Sequence, residues 1–227
     1  MTSRRPVHPR APLGTVALTV MCVVLVALLA ATWVLSAVVV ADNRPEAVAA
    51  GRSLFSLLGL ILVAGRSPSA LKRSMKSLVA RPAALLLAGV LGVAIYSLFS
   101  LWAIAGVGVS VTNLIVATAP ALTLTFGALF FRERYPRTAV LAVVVAVMGA
   151  VIYTLSSVQA ENRPFIVSVG GVAAAIVAVC SAAFYGHYYA RLAEGQRSGD
   201  LLLGVFLFGT VVLLAVMCLT GSIGGLA

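Results

Sequence analysis

Few side chains in this sequence can do chemistry, and most of them stand in apolar surroundings. Arg52 lies about seven positions into the apolar run that opens at Pro45, on the order of 10 Å along a helix. No acidic residue stands at a near helical spacing to pair with it. A guanidinium so placed either snorkels to the outer surface or holds a carbonyl cluster or an anionic group in a cavity. Tyr96, Ser97 and Ser100 share one helical face by their three- and four-residue spacings, and Thr32, Trp33 and Ser36 form a similar stripe. A later run carries Ser110, Thr112, Asn113, Thr118, Thr123 and Thr125. Such hydroxyls either line a shared polar cavity or serve as packing between helices. The Asn113 amide has donors and acceptors that hydrocarbon cannot satisfy, so it is expected to face the bundle interior. Pro120, on roughly the same face, removes one backbone hydrogen bond and leaves a carbonyl near Val116 without its usual partner. That carbonyl serves a substrate or permits a bend, unless Thr118 caps it.

Other chemistries find little support. His187, in "FYGHYYAR", sits with Tyr185, Tyr188 and Tyr189 where an interfacial aromatic belt is expected. Asp42, Glu46, Glu133, Glu161, Glu194 and Asp200 all map to run ends or loops, which argues against a buried carboxylate as proton carrier. There is no HExxH, Walker loop, CxxC or nucleophile elbow, and Cys22, Cys180 and Cys218 lack metal-ligand spacing. The sequence therefore predicts no enzyme, no catalytic residues, no cofactor and no metal.

The elements that must position these residues follow from composition. Of the 227 residues, 62% are hydrophobic and 10% charged, against about a quarter charged in soluble domains, and the mean hydropathy is +1.11. Long uncharged runs recur, each near the roughly 20 residues a helix needs to cross hydrocarbon. The fold class is all-α, a polytopic helical membrane protein with about seven spans, at about 13–41, 45–64, 82–104, 108–131, 138–157, 165–190 and 200–220. Pro82 and Pro164 mark helix starts, and Gly106 with Gly108 a tight reversal. The amino end, "MTSRRPVHPRAPLG", imitates a secretory signal, but the apolar run behind it is too long for one and is expected to remain as the first span. The net charge of +10 lies in short clusters between apolar runs, with no aromatic-interleaved basic face, so no nucleic-acid partner is expected. With the amino terminus inside, every Lys and Arg except Arg44, Arg52 and Arg163 falls on the inner side. The expected location is the cell membrane, multi-pass, with a cytoplasmic amino terminus and an outer carboxyl end.

Two stretches carry a resemblance. "RPEAVAAGRSLFSLLGLILVAGR", followed by "YSLFSLWAIAGVGVSVTNLIVATAPALTLTFGALFFRERYPRTAVLAVVVAVMGAVIYTL", resembles the EamA-like repeat of the drug/metabolite transporter superfamily. That pattern has an arginine in the second helix, an aromatic and small-residue run in the third, and a fourth helix with a mid-span proline and an inner-end glutamate. Arg52, Pro120 and Glu133 match it. The resemblance implies two inverted five-helix repeats around a substrate cavity, working by alternating access. Residues 1–12 read as a basic cytoplasmic terminus, 13–157 as one complete repeat, and 158–227 as the first two helices of a second, which "GGVAAAIVAVCSAAFYGHYYARL" opens.

The implied function is a secondary transporter, an exporter of a small organic metabolite or drug-like compound. The substrate-binding set expected from the polar clustering is Trp33, Arg52, Tyr96, Ser100, Asn113 and Thr118, with Pro120 kinking its helix. Glu133 and Arg134 are assigned to inner-face structure, with Glu133 paired to Arg134 or Arg137. Besides the lipid bilayer and a small-molecule substrate, the incomplete second repeat implies a fragment of a ten-helix protein, a homodimer or a completing second chain. The rival reading is a non-transporting remnant or scaffold that meets a partner through Gly89/Gly92 and Gly149/Tyr153.

Overall fold

Prolines punctuate the start of the protein's helices. In the computed structural model, which describes residues 15–161 and 168–221, α2 (Pro45–Gly65), α3 (Pro68–Ala80) and α4 (Pro82–Gly89) each open with proline in the first turn, where no N–H is required. The chain forms two units, Met1–Leu35 and Ser36–Ala227. The first holds most of α1 (Thr15–Asp42), whose Val16, Met21, Val24 and Leu28 are exposed. Arg4, Arg5, Arg10, Arg163, Pro164 and the "SIGGLA" end lie outside the described residues.

In the second unit α4 continues through a π-helical turn, Val90–Ile95, into α5 (Tyr96–Val116), followed by α6 (Ala119–Phe131), α7 (Arg137–Glu161), α8 (Val169–Leu192) and α9 (Ser198–Leu219). The described residues are otherwise turns and links, with no strand among them. The core lies where the α4–α5 stretch, α8 and α9 meet, around the fully buried Leu85, Leu101, Val179, Leu201 and Leu213. Small residues set those contacts. A Cβ added at Gly89 would stand 2.5 Å from the Val205 carbonyl oxygen, and one at Gly209 2.8 Å from that of Gly89, so the α4 and α9 backbones touch directly. Gly92 makes room for the Tyr185 ring in the same way. The Gly89/Gly92 face, a candidate for docking a partner, is thus occupied within the chain, whereas Gly149 meets open space.

The partners along α8 give the chain's direction. Leu91, in the π turn, accepts a hydrogen bond from Ser181 (2.8 Å), and Gly106 abuts Gly171 near the start of α8. Phe131 then meets Arg191 at its far end. Between Gly106 and Phe131 the chain therefore turns back, and Gly108, at φ 79° and ψ 172°, breaks the helix where the sequence placed the reversal. A side chain there would be strained; glycine is not.

Three features differ from expectation. Among the described residues five helices are long and apolar enough to cross a membrane, Val16–Asp42, Pro45–Gly65, Pro82–Val116, Val169–Leu192 and Ser198–Leu219, while the apolar Ala119–Phe131 and Arg137–Tyr153 are shorter. The expected span 108–131 is divided, because the helix stops at Val116 and restarts at Ala119 through a turn at Ala117–Thr118. Pro120 accordingly sits in the first turn of α6 rather than in mid-helix. Finally, α3 occupies what composition presented as a charged link. It is amphipathic, with Leu78 packed against Gly204 and Lys72 and Lys76 exposed, and a search for apolar runs passes over such a helix.

Candidate functional site

Arg52 is the one expected site residue that gathers others around it. It lies on α2, half-buried, and its Nη1 donates to Ser36 Oγ at 3.1 Å. Tyr96, at the start of α5, is near enough to interact electrostatically with the guanidinium. Next to Arg52, Ser53 is buried and its carbonyl accepts from Thr210 Oγ1 of α9 at 3.3 Å. Further along α5, Trp102 Nε1 donates to Glu46 Oε1 at 2.8 Å and fixes α5 against the first turn of α2. Among the described residues no buried side-chain nitrogen or oxygen lacks a hydrogen-bond partner. The arrangement is a permanently charged donor beside a phenol, held by hydroxyls and a tryptophan–carboxylate tie. It can bind an anionic or carbonyl-bearing group and has no nucleophile–base pair for covalent chemistry.

The other expected residues are not all brought together. Ser100 is buried, 3% exposed, and its hydroxyl returns to the Tyr96 and Ser97 carbonyls at 2.5 and 3.1 Å. Thr118 Oγ1 donates to the Ile115 carbonyl at 2.6 Å, one residue before the Val116 carbonyl that Pro120 was expected to free. Trp33 is half-buried and belongs to the first unit. Asn113 is exposed, contrary to the inward facing expected of it. The break at Gly108 resets the helical phase, so that Thr112, 0% exposed, points inward and donates to the Gly108 carbonyl at 2.7 Å.

A second polar corner forms at the end of α6. Arg132 takes the left-handed conformation (φ 56°), and the Glu133 N–H bonds back to the Gly127 carbonyl at 2.9 Å, closing the helix. Glu133 is thereby turned toward α8. The Tyr135 hydroxyl donates to its Oε2, and His187 Nδ1 lies 3.3 Å from Oε1. The Tyr135 contact is local and the His187 contact reaches across to α8, where the sequence suggested pairing with Arg134 or Arg137; Arg134 is exposed. His187 is buried rather than part of a surface belt. Its Nε2 meets the Thr123 carbonyl at 2.8 Å, and since a carbonyl only accepts, Nε2 carries hydrogen. Arg191 completes the corner, stacking over the Phe131 ring at 4.4 Å while donating to the Phe131 carbonyl.

The Tyr135 hydroxyl, with His187 and Arg191 nearby, holds the Glu133 carboxyl below the usual carboxylate range. Desolvation and the adjacent carboxylate push the Tyr135 phenol up to about 12. The lowered Glu133 value means that its stabilising contribution is present above pH 4.5 and is lost as pH falls further. Glu133→Gln should therefore flatten the acid limb of a thermal-unfolding profile taken between pH 5 and 3 (~1 unit either side of a glutamate's ordinary value). Equal acid sensitivity in both proteins would contradict this corner. For Tyr135 the sign is opposite, with stability lost as pH rises from 10 toward about 12.

Residues 17–155 match the model of the EamA-like transporter family. The chain belongs to that family. The matched segment runs from the start of α1 through most of α7 and so includes Arg52, Tyr96, Pro120 and Glu133. EamA-like proteins are membrane transporters of the drug/metabolite transporter superfamily, and the apolar helices accord with a multi-pass membrane protein. His187 and Thr210, partners of Glu133 and Ser53, lie outside the matched segment. No curated protein and no solved structure matches the chain. Sequence reasoning listed Ser36 in a polar stripe without pairing it to Arg52, and missed the partners Glu46, Trp102 and Thr210. For Glu46 and Trp102 a signal existed, an acidic first turn and an amphipathic indole in an apolar run.

Proposed function

We propose that this EamA-family chain is a secondary transporter that exports a small organic metabolite or drug-like compound across the cell membrane by alternating access, with Arg52 and Tyr96 at the substrate path. The observation that carries the reading is the half-buried Arg52 guanidinium, which is hydrogen-bonded to Ser36, lies within electrostatic range of Tyr96 and has no carboxylate among its described contacts. A permanent charge within a transmembrane helix is costly unless it lines water or meets a ligand. The exposed Asn113 amide, in a stretch apolar enough for a membrane, likewise calls for polar surroundings. In this reading α6 and α7 also cross, giving seven passes, with the Lys- and Arg-rich ends inside and the amino terminus cytoplasmic. Helices beyond these, from a longer chain, a second copy or a partner, complete the inverted repeat. The scaffold alternative is left with the α7 face at Gly149, since the Gly89/Gly92 face is filled by α9 and Tyr185. Access of water to position 96 separates the two readings: a cysteine there should react with hydrophilic thiol reagents in a carrier and stay unreactive in a scaffold.

A further inference from the structure

The sequence treats the basic residues after α2 as topological markers, but the fold gathers some of them with others far along the chain. A cavity of about 440 Å3 opens between the end of α3 and the link into α9, within the range of roughly 300–1,000 Å3 for small-ligand clefts. Four of its lining side chains are cationic, Arg73, Lys76, Arg81 and Arg197, and one is acidic, Asp200. Asp200 is already engaged by Arg73, whose Nε donates to its Oδ2 at 2.9 Å. That pairing leaves Lys76, Arg81, Arg197 and the remaining Arg73 N–H donors with no carboxylate lining the cavity. Four cations around one neutralised carboxylate form a pocket complementary to a phosphate-bearing group.

Its place in the fold selects among phosphate sources. α3 is an amphipathic helix joined at both ends to apolar ones, with Leu78 inward and Lys76 outward, which is the pattern of a helix lying in a membrane interface. Next in the chain to the lining residue Ala80, Val79 is 81% exposed, and Leu86 and Leu87, in the helix that follows Arg81, are also exposed. Cations on an amphipathic helix with bare apolar side chains close by in the chain fit a molecule that has a phosphate and acyl chains together. We infer that this cavity binds the headgroup of an anionic phospholipid, which pins α3 to the start of α9. The inference needs only that the chain is embedded in a bilayer; it stands or falls independently of transport and of which side the pocket faces.

The test uses the full chain purified in detergent, with thermal unfolding followed as phosphatidylglycerol, phosphatidylcholine or inorganic phosphate is titrated in. Phosphatidylglycerol should raise the midpoint and phosphatidylcholine should not. The double variant Lys76→Ala/Arg81→Ala should bind phosphatidylglycerol about tenfold or more weakly, while Lys72→Ala, outside the cavity, should respond like the parent. If the double variant does not fold, the single change Lys76→Gln, with lipid retention read by native mass spectrometry, gives the same comparison. An undiminished phosphatidylglycerol response in the variants, or an equal response to phosphatidylcholine, would overturn the inference. An equal response to inorganic phosphate would make the pocket a soluble-anion site and overturn the lipid assignment.

Discussion

Arg52→Ala is expected to lower solute flux through the reconstituted protein by tenfold or more, a change of about 1.4 kcal/mol in effective barrier, while the protein still folds. The position of Arg52 on α2 places the guanidinium well inside an apolar segment, and Ser36 takes only one of its five N–H groups in the described contacts. The remaining donors, beside Tyr96, are then available to a substrate. Alanine removes them and leaves the phenol without its charged neighbour. Arg52→Lys keeps the charge but loses the planar fork, so it should recover part of the flux and not all of it. Initial rates for the solute that the parent moves, set beside the folded fraction from size-exclusion chromatography, give the answer. If Arg52→Ala transports normally, the guanidinium is structural and the site lies elsewhere.

Gly209→Val is expected to have the largest effect on the fold itself. A Cβ at position 209 would stand 2.5 Å from the Val93 Cβ and 2.8 Å from the Gly89 carbonyl oxygen. The first clash is with a β-branched side chain at its root and the second with backbone, so neither neighbour can swing aside. Overpacking of this kind costs about 1–3 kcal/mol, and separating α4 from α9 would also expose Leu85 and Leu201, both 0% exposed. The expected result is a large drop in the unfolding midpoint and in folded yield in detergent. Gly149→Ala, at a glycine with open space around it, should stay within about 0.5 kcal/mol of the parent. Equal stability of Gly209→Val and the parent would contradict the α4–α9 contact.

Much of this architecture can be read from residues whose effect is local. A proline opens a helix whatever surrounds it, which is why the starts of α2, α3 and α4 coincide with Pro45, Pro68 and Pro82. Gly108 could be read as a break because only glycine takes its backbone angles without strain. What depends on which helix faces which could not be read. Periodicity puts Tyr96 and Ser100 on one face, but Ser100 turns its hydroxyl back to its own helix while Tyr96 lies within electrostatic range of Arg52. The polarity of the Asn113 amide says that it needs polar surroundings, not which side of its helix supplies them, and the buried polar position is Thr112. Glu133 was assigned its sequence neighbours because a left-handed Arg132, which turns it toward His187, leaves no mark in the residue pattern. α3 was lost because apolar runs, not amphipathic ones, defined the spans.

In the transporter reading Arg52 and Tyr96 face a water-filled path. In a protein with Cys22, Cys180 and Cys218 replaced by serine, single cysteines would be placed at Tyr96, at the buried Leu101 and at the outward-facing Phe55. Their reaction with a charged, hydrophilic thiol reagent would be timed in membranes. Modification at position 96 should be at least tenfold faster than at either control and slowed by a transported solute. Position 96 reacting no faster than position 101 would contradict a carrier and leave the helix-packing scaffold as the reading of this chain.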